Sequence, residues 1–212
     1  TMDVIGKYNS SISKWVSEPD HGLYDAMNKG IALSSGEVVG FLNADDCYAH
    51  ERVLETVAAH MTADAIDSCY GDLVYVDREA PGRVIRYWKS CAYEESLFRK
   101  GWMPPHPTFF VRRSVYEEHG LFNPAFGSAA DYELMLRLLE MQKITTAYIA
   151  EILVKMRSGG VSNRSIRNRV AASRMDRAAW IRNGLTPPTF LWLLKSTLKL
   201  GQWFERPANE SY

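Results

Sequence analysis

Val38-Val39-Gly40-Phe41-Leu42-Asn43-Ala44-Asp45-Asp46 is an apolar run that stops on an amide and two adjacent carboxylates. Four or five apolar residues bounded by a polar turn predict a buried strand of a parallel sheet. Ligands of open α/β sheets sit outside the carboxyl ends of the strands, which is where Asp45 and Asp46 emerge. Neighbouring carboxylates repel unless something positive neutralises them, and a hard divalent cation bridging to phosphate oxygens does so. A plainer reading has Asp46 cap a helix starting near His50, with Asp45 solvated. The run alone does not choose between the two.

Upstream, Glu18-Pro19-Asp20-His21-Gly22-Leu23-Tyr24-Asp25-Ala26-Met27-Asn28-Lys29-Gly30 leads through Ser35-Gly36-Glu37 into that run. From Glu18 to Asp46 the chain resembles the donor-binding region of family 2 glycosyltransferases. It looks closest to the branch that builds bacterial surface polysaccharides and glycolipids. The likeness continues through His106-Pro107-Thr108-Phe109-Phe110, Gly120-Leu121-Phe122-Asn123, Ala130-Asp131-Tyr132-Glu133-Leu134 and Gly159-Gly160-Val161-Ser162.

The resemblance implies an α/β fold of the GT-A type, a Rossmann-related mixed sheet flanked by helices. It implies a nucleotide-diphosphate sugar donor, contacted by Glu18, Asp20, Asp25, Asn43, Asp45, Gly159, Gly160 and Ser162. Asp45 and Asp46 would hold Mg²⁺ or Mn²⁺, and Asp131 would be the catalytic base. Family members open with a strand–helix–strand unit that cradles the nucleotide, and such a unit needs roughly 30 residues or more. Here Thr1 to Tyr8 reads as the helix after that unit, so the chain is expected to be N-terminally incomplete.

Length and composition bound the rest. At 212 residues the chain suits one sizeable core. Its formal net charge is zero, which argues against nucleic acid as a general partner. That zero hides a polarity: from Val161 onward nine Lys/Arg face three acids. A basic tail suits an anionic membrane face, and an acidic body can hold a metal. Cys47, Cys69 and Cys91 show no ligand spacing and fit a reduced, cytoplasmic setting.

Periodicity and turn residues predict helices at Met2–Tyr8, Leu23–Leu33, Glu51–Met61, Tyr132–Met141 and Arg164–Asn183. Strands are predicted near Ile12–Val16 and at Val38–Leu42, Ser68–Val76, Val84–Lys89, Thr108–Val111 and Ile144–Met156. Residues 1–162 would form the GT-A-like domain, and 163–212 a helical tail.

Asp131 opens a helix whose Leu134/Leu138 and Met135/Leu139 pairs share one face, so its carboxylate is aimed by a rigid element. Ser128-x-x-Asp131 also reads as a capping box, and an acid there suits the helix dipole. The resemblance tips that balance to catalysis. His106, in a Pro-rich loop, is a candidate contact for the acceptor or the diphosphate, or a structural hydrogen-bonding group. Gly159 and Gly160 would let backbone amides approach phosphates, or simply connect two elements.

Thr189 to Phe204 makes a helix of roughly 24 Å, short of the ~30 Å core of a membrane. Lys195, Ser196, Lys199 and Gln202 form its polar stripe. That pattern fits a helix lying in a membrane interface, with Trp192 and Trp203 at headgroup depth. Packing on the domain or on a second copy, as in a homo-oligomer, is the alternative. Together these readings predict an inverting, metal-dependent glycosyltransferase acting on a glycan or lipid-linked acceptor, cytoplasmic and peripheral on the inner membrane face. The rivals are a catalytically dead remnant that binds a partner, and a metal-dependent phosphoryl hydrolase.

Overall fold

The computed structural model describes residues 2–62, 65–159 and 166–207. A mixed sheet contains β1 (Val38–Val39), β2 (Cys47–Tyr48), β3 (Ser68–Val76), β4 (Val84–Trp88), β5 (Phe110–Arg112) and β6 (Thr146–Arg157). The strand order is β1-β5-β3-β6-β2, and β4 also pairs with β3. Only β3 and β6 run parallel. Their ladder extends from Ser68 opposite Thr146 to Val76 opposite Arg157, with register shifts on either side of Asp72. Every residue of β3 except Tyr75 is buried, which explains its continuous apolar reading.

Helices cover both faces. α1 (Met2–Lys7) and α2 (Leu23–Leu33) precede the sheet, and α3 (Val53–Met61) follows β2. α3 sets Val53, Val57 and Met61 against Leu73, Ile149 and Leu153 on one face, an i, i+4, i+8 stripe. The other face takes α4 (Arg113–His119) and α5 (Ala130–Leu136), with a π turn at Arg137–Met141. Leu134, Met135, Leu138 and Leu139 are all buried there, as their spacing requires. α6 (Ile166–Arg182) and α7 (Leu191–Gly201) close this core with Ala179, Trp180 and Leu191.

Three expectations change. The run 38–42 gives only two strand residues, and they pair antiparallel with β5 rather than lying in a parallel sheet. Their partner is three residues long, so two rungs nearly exhaust it. At Gly40 the Phe110 ring lies 2.4 Å from where a Cβ would stand, and the chain leaves the sheet. Asp45 and Asp46 therefore sit on a loop between two strands. No strand forms at 12–16, where Trp15 and Val16 remain exposed with nothing to cover them. Thr108 lies in a single 3-10 turn, His106–Thr108, and β5 begins only at Phe110.

Gly71 is a point of close approach between β3 and β6. A Cβ there would stand 2.6 Å from Leu153 Cγ and 2.9 Å from the Glu151 carbonyl oxygen. The latter is backbone of the paired strand and has little room to retreat. Gly71→Val is therefore expected to destabilise the fold by about 1–3 kcal/mol through overpacking. A urea titration checks it; an unchanged midpoint contradicts the tight ladder.

Candidate active site

The site is assembled from four separate parts of the chain. Asp46 comes from the loop before β2, His106 from the 3-10 turn, Asp131 from the first turn of α5, and Tyr75 from the end of β3. Each is held from behind. Thr108, fully buried, has one hydroxyl proton to share between the carbonyls of Gly71 (2.9 Å) and Pro105 (2.8 Å), fixing the turn that carries His106 to the central strand. Glu133, 2% exposed, pairs with Arg137 Nε at 3.0 Å and accepts from Asn183 Nδ2 at 3.1 Å. Arg137 also donates to the carbonyls of His119 and Leu121, tying α5 to the loop after α4.

His106 and Asp131 meet, with Nδ1 3.3 Å from Oδ2. Asp131 is not a helix cap here. α5 has Ala129 at its N-cap with no side-chain cap bond. Asp131 Oδ1 instead accepts from its neighbour's Tyr132 N–H at 2.8 Å. Tyr24 of α2 lies against the same carboxylate. Burial first, then the Asp131 charge, pushes its phenol above the usual tyrosine range.

Asp46 is buried, whereas Asp45 is exposed. Its Oδ2 accepts from Asn43 Nδ2 at 2.9 Å, but its Oδ1 is buried without a hydrogen-bond partner. Burial above all, with the adjacent Asp45 charge, raises its carboxyl above the ordinary range, while Asn43, His106 and the backbone N–H of Arg157 oppose that. A buried carboxylate oxygen without a close hydrogen-bond donor is one that a hard cation would satisfy. Asp45, Asp46 and Asn43 are the residues that would hold Mg²⁺ or Mn²⁺. Among the described residues no group of three or more acidic, His or Cys side chains stands ready for a metal alone.

Glu18, Asp20 and Asp25 are brought together elsewhere. Lys29 pairs with Glu18 at 2.8 Å and Asp25 at 3.5 Å. Asp25 accepts from His21 N–H, and Asp20 from Gly22 N–H. Among the described residues none of these acids touches the His106–Asp131 pair. Gly159, at φ +104°, follows β6; Gly160 and Ser162 lie outside the described residues.

The residues that the sequence left unmarked form the far wall. Arg86 of β4 stacks on Tyr75, 4.6 Å from the ring centroid. Helix α7 lies beside it: Gln202 Oε1 accepts from Arg86 Nε at 2.8 Å, and the Gln202 carbonyl accepts from Tyr87 N–H at 3.0 Å. Lys195 pairs with the buried Asp176 at 2.6 Å and sits 3.7 Å from the Tyr132 ring centroid. A Cβ at Gly101, φ +85°, would stand 2.7 Å from the α7 backbone. Lys195 and Gln202 of the polar stripe thus face the domain, while Lys199 is exposed. The outward side of α7 carries Trp192, Leu193, Leu200, Trp203 and Phe204, all exposed.

Comparison with known proteins agrees with this architecture. The profile described as Glycosyl transferase family 2 matches residues 4–120. The chain belongs to glycosyl transferase family 2. It is 28% identical over 148 residues to a PGL/p-HBAD biosynthesis glycosyltransferase of Mycobacterium bovis, covering 69% of this chain and 55% of the relative. It is 33% identical over 128 residues to an uncharacterized glycosyltransferase of Mycobacterium tuberculosis, covering 58% and 46%. The chain spans about half the length of the curated relatives it matches. Among solved structures it superposes on S. aureus TarS with a TM-score of 0.56 at 14% identity, over 86% of this chain and 31% of that one. Residues 1–349 of TarS in complex with UDP-GlcNAc give 0.55 at 13%, over 85% and 58%. The fold is thus of the GT-A glycosyltransferase type.

Proposed function

We propose that this site moves a sugar from a nucleoside diphosphate sugar to a hydroxyl of a glycan or lipid-linked acceptor, with inversion at the anomeric carbon. The observation that carries the reading is the His106–Asp131 pair, with Nδ1 3.3 Å from Oδ2, placed so that His106 acts on the buried Asp46 carboxyl. The complexes of TarS with UDP and UDP-GlcNAc support a nucleotide-sugar donor.

In this account the acceptor hydroxyl oxygen attacks the anomeric carbon while the bond from that carbon to the diphosphate oxygen breaks. The electron pair leaves with the nucleoside diphosphate. Asp131 Oδ2 takes the hydroxyl proton, and His106 Nδ1 orients that oxygen. Asp45, Asp46 and Asn43 would hold a divalent ion, which supplies Lewis-acid stabilisation to the departing diphosphate. One base and one displacement give inversion. A hard ion should be needed for donor binding. Calorimetric titration with a panel of nucleoside diphosphate sugars, with and without Mn²⁺, tests this. Divalent-dependent binding of one of them supports the reading; binding of none contradicts it.

The same account places the protein on the inner face of a membrane, where a lipid-linked acceptor is found. No described helix is long and apolar enough to cross one. The support is the outward side of α7, where Phe204 is 86% exposed and Leu200 61%. Interfacial aromatics on a short helix suit headgroup depth. Replacing Trp192, Trp203 and Phe204 together by Ser should weaken pelleting with anionic vesicles on the order of tenfold or more, since each aromatic supplies buried area. These side chains are exposed, so the fold should survive. Equal pelleting rejects the membrane face, and a dimer lost in the triple variant assigns that face to a second copy.

A further inference from the structure

The polar stripe of α7 enters the interior at Lys195, whose side chain is 13% exposed. Its ammonium pairs with Asp176 of α6 at 2.6 Å and stands 3.7 Å from the centroid of the Tyr132 ring. Tyr132, buried, is closed in from two further directions. Trp180 Nε1 donates to its hydroxyl at 2.8 Å, and the Phe98 ring lies 5.8 Å away, centroid to centroid. The backbone N–H of this same Tyr132 is the donor that Asp131 Oδ1 accepts at 2.8 Å. A close-packed side chain held from three directions gives its own backbone little room to turn. The N–H that orients Asp131 is thereby fixed.

The same point of α7 also meets the support of His106. A Cβ on Gly101 would stand 2.7 Å from the Lys195 backbone nitrogen and 2.7 Å from the Leu194 carbonyl carbon. Gly101 ends the 3-10 turn Leu97–Lys100 in a left-handed conformation, and its N–H donates to the Phe98 carbonyl at 3.0 Å. From there the chain runs to His106 through Trp102, which packs on Phe98 and Tyr70. One residue of α7 thus lies against the supports of both His106 and Asp131, whose Nδ1 and Oδ2 are 3.3 Å apart.

Stability alone does not require an ion pair at this position. Burial raises the Asp176 carboxyl above its ordinary range even with Lys195 opposing it. Apolar side chains of similar volume often match or better a buried pair. What the pair adds is direction, since one carboxylate and one ring face together fix how far α7 slides and turns. We propose that Lys195 is a positioning residue that sets the His106–Asp131 pair through Tyr132 and Gly101. Its effect on turnover rests on the glycosyl-transfer reading; its placement of the pair does not.

The test places Lys195→Met together with Asp176→Leu in the full chain, beside the single variants Lys195→Gln and Lys195→Arg. One readout is steady-state sugar transfer. The other is the ring-nitrogen NMR signal of His106, assigned by its loss in His106→Gln, which reports the nitrogen that carries the proton. The apolar double variant should melt no lower than the parent and leave the donor KM unchanged. Its kcat should fall about 10–100-fold, since a misplacement of roughly 1 Å costs up to that much, and its His106 signal should move. Lys195→Gln should show the same two changes and decides the matter if the double variant does not fold. Lys195→Arg keeps a cation against the ring and the carboxylate, so it should retain the parent kcat and signal. An unmoved His106 signal, a parent kcat beside a moved signal, or a loss in Lys195→Arg equal to that in Lys195→Gln overturns the proposal. A moved signal in a protein that transfers no sugar would retain the positioning role and remove the transfer reading. Transfer at the parent rate with an unmoved signal would do the reverse.

Discussion

Asp131→Asn is expected to lower sugar transfer by about 10²–10⁴-fold, the usual cost of losing a positioned base. Donor affinity should stay where it was, because the donor's carboxylates lie on another loop. The variant isolates proton acceptance with little else disturbed. Asn has nearly the same size, and its amide oxygen can still accept the Tyr132 N–H that Asp131 Oδ1 takes at 2.8 Å. The helix beneath is held by Glu133, Arg137 and Asn183, none of which is touched. Single-turnover transfer and the melting temperature are the two readouts. Wild-type transfer with a lower melting temperature would reduce Asp131 to a structural acid.

The second large effect is on the donor side. Asp45→Ala should remove divalent-dependent donor binding, a loss of at least about 10–100-fold given that even groups behind a metal ligand cost that much. Asp45 is exposed, so the fold should not notice. Asp46→Asn should weaken the donor similarly and also make the free protein more stable at neutral pH. The sign follows from its raised carboxyl. An acid whose folded form resists ionisation subtracts stability as pH rises past its unfolded value, and subtracts none below it. Asp46→Asn should therefore melt higher than the parent near pH 7, and the gap should close below the ordinary carboxylate range. Thermal melts across pH without divalent ion check this. A variant that melts lower at pH 7 contradicts the burial of an ionised Asp46.

Much of this arrangement was legible because local pattern and tertiary role coincide. The β3 run reads as buried and is buried, since β6 on one side and β4 and β5 on the other leave it no exposed edge. The spacing of Leu134, Leu138, Met135 and Leu139 fixed α5, and α5 aims Asp131. The resemblance supplied His106 and the two loop carboxylates. What failed was local pattern overruled by distant partners. The 38–42 run looks like a central strand, but its only ladder is a three-residue neighbour some seventy positions away. The polar stripe of α7 looks free of the domain, but Asp176 and Tyr132 hold Lys195 and Arg86 holds Gln202. Tyr75 and Arg86 carry no motif at all. Hairpin register sets them opposite each other, and no spacing within either strand reports that.

The central claim is group transfer at Asp131 rather than hydrolysis at Asp45 and Asp46. The direct measurement follows one labelled nucleoside diphosphate sugar, with Mn²⁺ and a membrane lipid extract, through to its products. The account predicts nucleoside diphosphate and glycosylated acceptor in equal amounts, with the anomeric configuration opposite to that of the donor, and neither product from Asp131→Asn. Free sugar or inorganic phosphate released without an acceptor, or a retained anomeric configuration, would contradict it.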